Sequence, residues 1–100
     1  MNKQLPPIEE RRKKISEFVG KIAGKLQDKN YNTGETIYRL QVKLENNDQI
    51  KEFRIYENKT DKLVWKGVIN NEYISKRYLF TCDKIAHIFR LLKWKELPKE

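Results

Sequence analysis

The residue types that most often carry catalysis stand alone in this chain. His87 is the only histidine and Cys82 the only cysteine. No acid or nucleophile lies at a recognisable spacing from His87. No Gly-rich phosphate loop, paired zinc ligands or G-x-S-x-G turn is present. A single cysteine forms no intramolecular disulfide and no cysteine-based metal site. Cys82, placed just ahead of a predicted helix where a thiol pKa can fall, reads more simply as a small buried hydrophobe. Most acidic residues sit beside basic ones, as in solvated ion pairs. The sequence therefore predicts no enzyme, no cofactor and no metal.

What the chain offers instead is cationic and aromatic chemistry. Its 22 Lys+Arg against 14 Asp+Glu leave a formal charge of +8. Such a field attracts phosphate polyanions and acidic membrane surfaces and says nothing about fold. One predicted sheet face carries Arg39, Lys43, Arg54, Tyr56 and Lys66, with Arg77 beside them in undetermined phase. Guanidinium groups meet phosphates while rings stack on unpaired bases, at roughly 1–3 kcal/mol per base, and every base has a π-face. Trp65 joins Tyr38, Tyr73, Tyr78 and Phe80 as further ring candidates, each of which suits a core equally well.

The elements that must hold these residues follow from periodicity. Pro7 suits a first helical turn, and Ile15, Phe18, Val19, Ile22 and Leu26 recur at helical spacing, which predicts an opening helix. Arg11, Lys14, Lys21 and Lys25 then form a basic flank beside its apolar stripe. Gly20 and Gly24 weaken that helix, or else permit close backbone approach to a neighbour. Four strands follow: Tyr38 to Glu45, Ile50 to Glu57, Leu63 to Ile69 and Tyr73 to Thr81. Asn-rich turns join them, and three short turns imply an antiparallel meander. Ile50 is out of phase with Phe53, as at a bulge or a late strand start. Thr81 or Asp83 caps a closing helix with Ile85, Ile88, Phe89 and Leu92 on one face. The predicted fold is α+β, a four-stranded antiparallel meander flanked by an N-terminal and a C-terminal helix (α-β-β-β-β-α).

One domain over residues 1–100 is expected, with residues 1–6 a flexible start. Apolar residues make up 38% of the chain and charged residues 36%, so the core is modest and self-association would help to stabilise it. Leu91 and Trp94 fall on the far side of the closing helix, which marks them as an oligomer contact of a dimer or tetramer. No signal peptide or membrane span is legible, which predicts an intracellular, cytoplasmic protein with no membrane partner. Lys and Glu in quantity, with one Cys and one Met, point to a thermophile, while the Asn46-Asn47 and Asn70-Asn71 pairs argue the other way.

The basic opening segment Pro7–Leu26, the Tyr38-Arg39-Leu40 strand, the Asn-rich meander and the closing Ile88-Phe89-Arg90-Leu91-Leu92 segment resemble the ThermoDBP-related proteins. These are non-canonical single-stranded DNA-binding proteins of thermophiles. The resemblance covers nearly the whole chain, and rests on order of elements and charge. It implies an α+β domain that binds single-stranded DNA without strict sequence preference, in a basic, partly apolar cleft, and that forms homo-oligomers. The longer members carry a C-terminal zipper helix that has no counterpart up to Glu100. The Whirly type of single-stranded DNA-binding protein, four antiparallel strands followed by a helix, is also similar, although here a predicted helix precedes the strands.

These lines converge on sequence-tolerant binding of single-stranded DNA, with RNA as a further candidate. The expected contacts are Arg11, Lys14, Lys21, Lys25, Arg39, Lys43, Arg54, Tyr56, Trp65, Lys66 and Arg77. The reading from a different class is a protein-interaction module, of the mobile-element or viral-inhibitor kind, that binds an acidic partner.

Overall fold

The computed structural model describes residues 14–98, in which five strands and one helix follow one another along the chain. They are β1 (Lys14–Lys29), β2 (Thr36–Leu44), β3 (Ile50–Tyr56), α1 (Lys62–Ile69), β4 (Arg77–Ile85) and β5 (Ile88–Leu97). The expected α-β-β-β-β-α meander is therefore incorrect at three elements. The expected flexible start at residues 1–6 lies outside the described residues.

The opening helix is the strand β1. In register with β4 and β2, Ser16, Phe18, Gly20 and Ile22 point to the same side at period two. A bulge between Ile22 and Gly24 then changes the phase, bringing Lys25 opposite Leu40 and Leu26 opposite Arg39. An alternating pattern broken by one extra residue imitates a helical stripe. Gly20 is required by close approach: a Cβ there would lie 2.3 Å from the carbonyl oxygen of Lys43.

The third expected strand is instead the helix α1. The Asp61 carboxylate accepts from the amides of Leu63 and Val64 and caps it, while Val64, Gly67 and Val68 bury one face at helical spacing. The closing helix is the end of β4, a two-residue turn at Ala86-His87, and β5. Ile85, Ile88, Phe89 and Leu92 match a helical stripe only because the turn interrupts two strands. Thr81 and Asp83 lie within β4, which begins at Arg77 rather than Tyr73.

The strands close into a barrel in the order β1-β2-β3-β5-β4, with β4 returning to β1. All pairings are antiparallel except β3 with β5, which pair in parallel only at Phe53↔Phe89 and Arg54↔Arg90. This order, with the helix between β3 and β4, is the topology of the OB-fold, a five-stranded Greek-key barrel. Where the short β3–β5 ladder ends, buried Thr60 bridges the seam. Its hydroxyl donates to the Leu91 carbonyl at 2.7 Å and accepts from the Tyr56 amide at 3.2 Å.

Inward residues of β2, β3, β4 and β5, among them Leu40, Val42, Phe53, Ile55, Phe80, Cys82 and Leu91, join Val64 and Val68 of α1 in one core. Each such aliphatic or aromatic side chain contributes roughly 1.5–3 kcal/mol on burial. One end of the barrel is covered by α1, where Trp65 meets Tyr38 edge-on and Trp94 packs against Gly67. The other end is closed by the rings of Phe18, Phe53 and Phe89, whose centres lie 5.4–6.3 Å apart. Among the described residues no helix is long and apolar enough to cross a membrane.

Candidate nucleic-acid interface

Alternation along β2 and β3 sends Leu40, Val42, Phe53 and Ile55 inward. It must therefore send Arg39, Gln41 and Lys43 outward with Glu52, Arg54 and Tyr56. Arg39 stands directly opposite Arg54, and Arg54 is in register with Arg90 of β5. Three guanidinium groups thus form one row across three strands. Like charges directly opposite each other oppose strand pairing, so each needs an account.

Arg90 has a complete one. Its Nε and Nη2 donate to the two carboxylate oxygens of fully buried Asp83 at 2.8 and 2.7 Å, a two-pronged pair. Arg39 and Arg54 are held more loosely. Glu52 faces both at 3.6 Å, and Asp28 faces Arg39 at 3.7 Å, beyond hydrogen-bond range. Among the described residues, neither the Arg39 Nε nor the Arg54 Nε has a hydrogen-bond acceptor, although both atoms are buried. The rest of each side chain is about one-third exposed (34% and 33%). A phosphate would meet the exposed part of each planar fork, while the buried Nε stays turned toward the carboxylates.

The row is flanked by two concavities. The β1–β2 turn borders a cleft of about 450 Å³ lined by Gln27, Asp28, Lys29, Tyr31, Gly34 and Thr36. Tyr31 stands 93% exposed at its tip. On the other side, the β4–β5 turn borders a cleft of about 270 Å³, lined by residues of β3 and by His87, Ile88 and Phe89. Asp28 lines the first cleft and faces Arg39, and Arg54 lines the second. Arg39 and Arg54 thus lie between the two clefts. Ala86 in the second turn holds a left-handed backbone (φ 54), a conformation that costs an alanine about 1 kcal/mol.

The residues expected from sequence divide sharply. Arg39, Lys43, Arg54 and Tyr56 share the outer face, and Lys21, opposite Lys43, adjoins them. Arg11 lies outside the described residues, and Lys14 begins β1 at the β4 side. Lys25 turns inward, where its ammonium donates to the Val68 carbonyl at 2.9 Å and to Asn71 Oδ1 at 2.8 Å. Trp65 and Lys66 belong to α1, so Lys66 does not share a sheet face with Arg54. Arg77 is engaged by Glu45, donating to Oε1 at 3.0 Å, and by the Pro98 carbonyl at 3.1 Å. Arg77's hydrogen bond also holds the Glu45 carboxyl below its ordinary pKa.

Leu91 and Trp94 do not form the outward contact face expected of them. Leu91 is fully buried, and Trp94 stacks on Tyr78 with ring centres 4.2 Å apart. Cys82 lies mid-strand, and burial pushes its thiol up to about 12, so it is held as a neutral thiol. Sequence reading missed Tyr31, the most exposed ring, because an isolated aromatic among Asn and Gly looks like turn filler. A tyrosine in a turn too polar to bury it was the signal available.

No family model, curated protein or solved structure matches this chain. Of the segments behind the resemblance to the ThermoDBP-related proteins, the described part of the opening one lies in β1 and Ile88–Leu92 lies in β5, so the helices expected at both ends of the chain are strands where the structure describes them.

Proposed function

We propose that this domain binds single-stranded nucleic acid, with no bond made or broken, across the outer face of β2 and β3. The observation that carries this reading is the facing pair Arg39 and Arg54, partly exposed between two clefts and met by carboxylates only beyond hydrogen-bond range. Fold alone does not assign function. The same topology is nonetheless used for oligonucleotides and oligosaccharides on its strand 2–3 face and adjoining turns, and here that face is cationic. Phosphates would meet Arg39, Arg54, Lys43 and Lys21, releasing counterions. Bases would stack on Tyr31 and Tyr56. The outer face offers no recognition helix for a duplex groove. The setting we propose is cytoplasmic, and DNA and RNA strands are both admissible ligands.

Fluorescence anisotropy of a labelled oligo-dT tests the proposal at low and moderate salt, with duplex and single-stranded RNA as competitors. Salt-sensitive binding that duplex does not displace is expected. It should weaken at least tenfold in the double variant Arg39→Gln/Arg54→Gln. Absence of binding at low salt, or an unaffected double variant, would overturn the reading in favour of a module for an acidic protein.

A further inference from the structure

Lys51 stands opposite fully buried Val42, so its half-buried side chain lies on the barrel-end side of β3, where it also lines the open cleft. Its Nζ lies 4.4 Å from the centre of the Phe89 ring and 5.3 Å from that of Phe18. Lys84 brings a second ammonium to 5.1 Å from the same Phe89 ring. Ring faces attract cations, but an ammonium has three N–H donors to satisfy. Among the described residues, Lys51 has these rings and no oxygen acceptor. Glu52 is the one carboxylate in the adjoining cleft, and its two oxygens already face Arg39 and Arg54. The cleft beside the β4–β5 turn therefore gathers two cations, Lys51 and Arg54, and one carboxylate, Glu52, around about 270 Å³ of open space.

We infer that this cleft is a phosphate site, in which Lys51 supplies a point charge and Arg54 a planar fork. The inference rests on the proposed function only for the source of the phosphate, which is either the end of a nucleic-acid strand or a phosphodiester within it. Lys51 lies on the inward side of β3 and Arg54 on its outward side, yet both line this cleft, so a phosphate held there would lie between an ammonium and a guanidinium. The apolar rings behind Lys51 lower the local dielectric and strengthen the attraction.

The direct test is thermal unfolding of the full chain in inorganic pyrophosphate against sodium chloride of equal ionic strength. Wild type and Lys51→Arg should gain several degrees in pyrophosphate by ligand linkage, and Lys51→Met should not. Equal gains in wild type and Lys51→Met, or no gain in wild type, would overturn the site. A second arm compares 5′-phosphorylated with unphosphorylated oligo-dT. A preference of about tenfold for the phosphorylated strand, lost in Lys51→Met, assigns the site to a chain end. Equal binding, with the salt slope of Lys51→Met reduced by about one, assigns it to an internal phosphate. If wild type binds no oligonucleotide, the proposed function fails while the pyrophosphate arm still decides the phosphate site.

Discussion

Two lysines enter the barrel, one at each end, and their surroundings differ. Lys25 reaches the end of α1, lies over the rings of Tyr38 and Tyr73, and donates to a carbonyl and an amide oxygen. Lys51 lies over Phe18 and Phe89 and, among the described residues, meets no oxygen acceptor. The first ammonium sits at a helix C-terminus, where a cation is favoured, and adds a donor to a Val68 carbonyl that also accepts from the Asn71 amide. The second has no such acceptor among the described residues. Aromatic faces alone do not separate a structural lysine from a binding one; the count of oxygen acceptors does.

The contrast requires one closed barrel, and the largest effect comes from breaking that closure. Gly20→Ala places a Cβ against the Lys43 carbonyl where β1 passes from β4 to β2. It should cost about 3 kcal/mol, read as a lower urea midpoint with unchanged slope. Next is Lys25→Met, which removes two hydrogen bonds, leaving the Val68 carbonyl with the Asn71 amide and Asn71 Oδ1 with the Tyr73 hydroxyl. A loss of about 2 kcal/mol and roughly 10 °C in Tm is expected, with the salt slope of oligonucleotide binding unaltered. A changed slope would mean that Lys25 reaches ligand and that the contrast between the two ends is wrong. At the opposite end, Ala86→Gly relieves the left-handed backbone and should stabilise by about 1 kcal/mol. The smallest expected effect sharpens the comparison most. Lys51→Met should leave the stability of the free protein within about 0.5 kcal/mol of wild type while weakening anion binding.

Where the chain alternates without interruption, the sequence was easily read. β2 and β3 lie close to where alternation of Tyr38, Leu40, Val42 and Leu44, then Phe53 and Ile55, predicts them. That is why Arg39, Lys43, Arg54 and Tyr56 were found together. Misreadings gather at interruptions. The bulge after Ile22 and the tight turn at Ala86-His87 each join two period-two stretches into a false helical stripe. The eight residues of α1 are too few for their period to stand out from a strand's, although Asp61 as a cap was there to be read. The clefts were not legible, because the contact of β3 with β5 joins residues far apart in the chain, and no local pattern encodes it. Lys51 was overlooked for the same reason, since its partners come from β1 and β5.

Strand β1 has a consequence for the order in which the domain is made. Its first half pairs only with β4 and its second half with β2, and Gly20 belongs to both ladders. During synthesis the β1–β2–β3 sheet can assemble early, but residues 14–18 must wait with open hydrogen bonds until Arg77–Ile85 has left the ribosome. A nascent chain stalled before that point would present a bare strand edge, a ready template for pairing with another chain. Prompt completion of translation is then itself a guard against aggregation, and a pause ahead of β4 would be costlier than one after it.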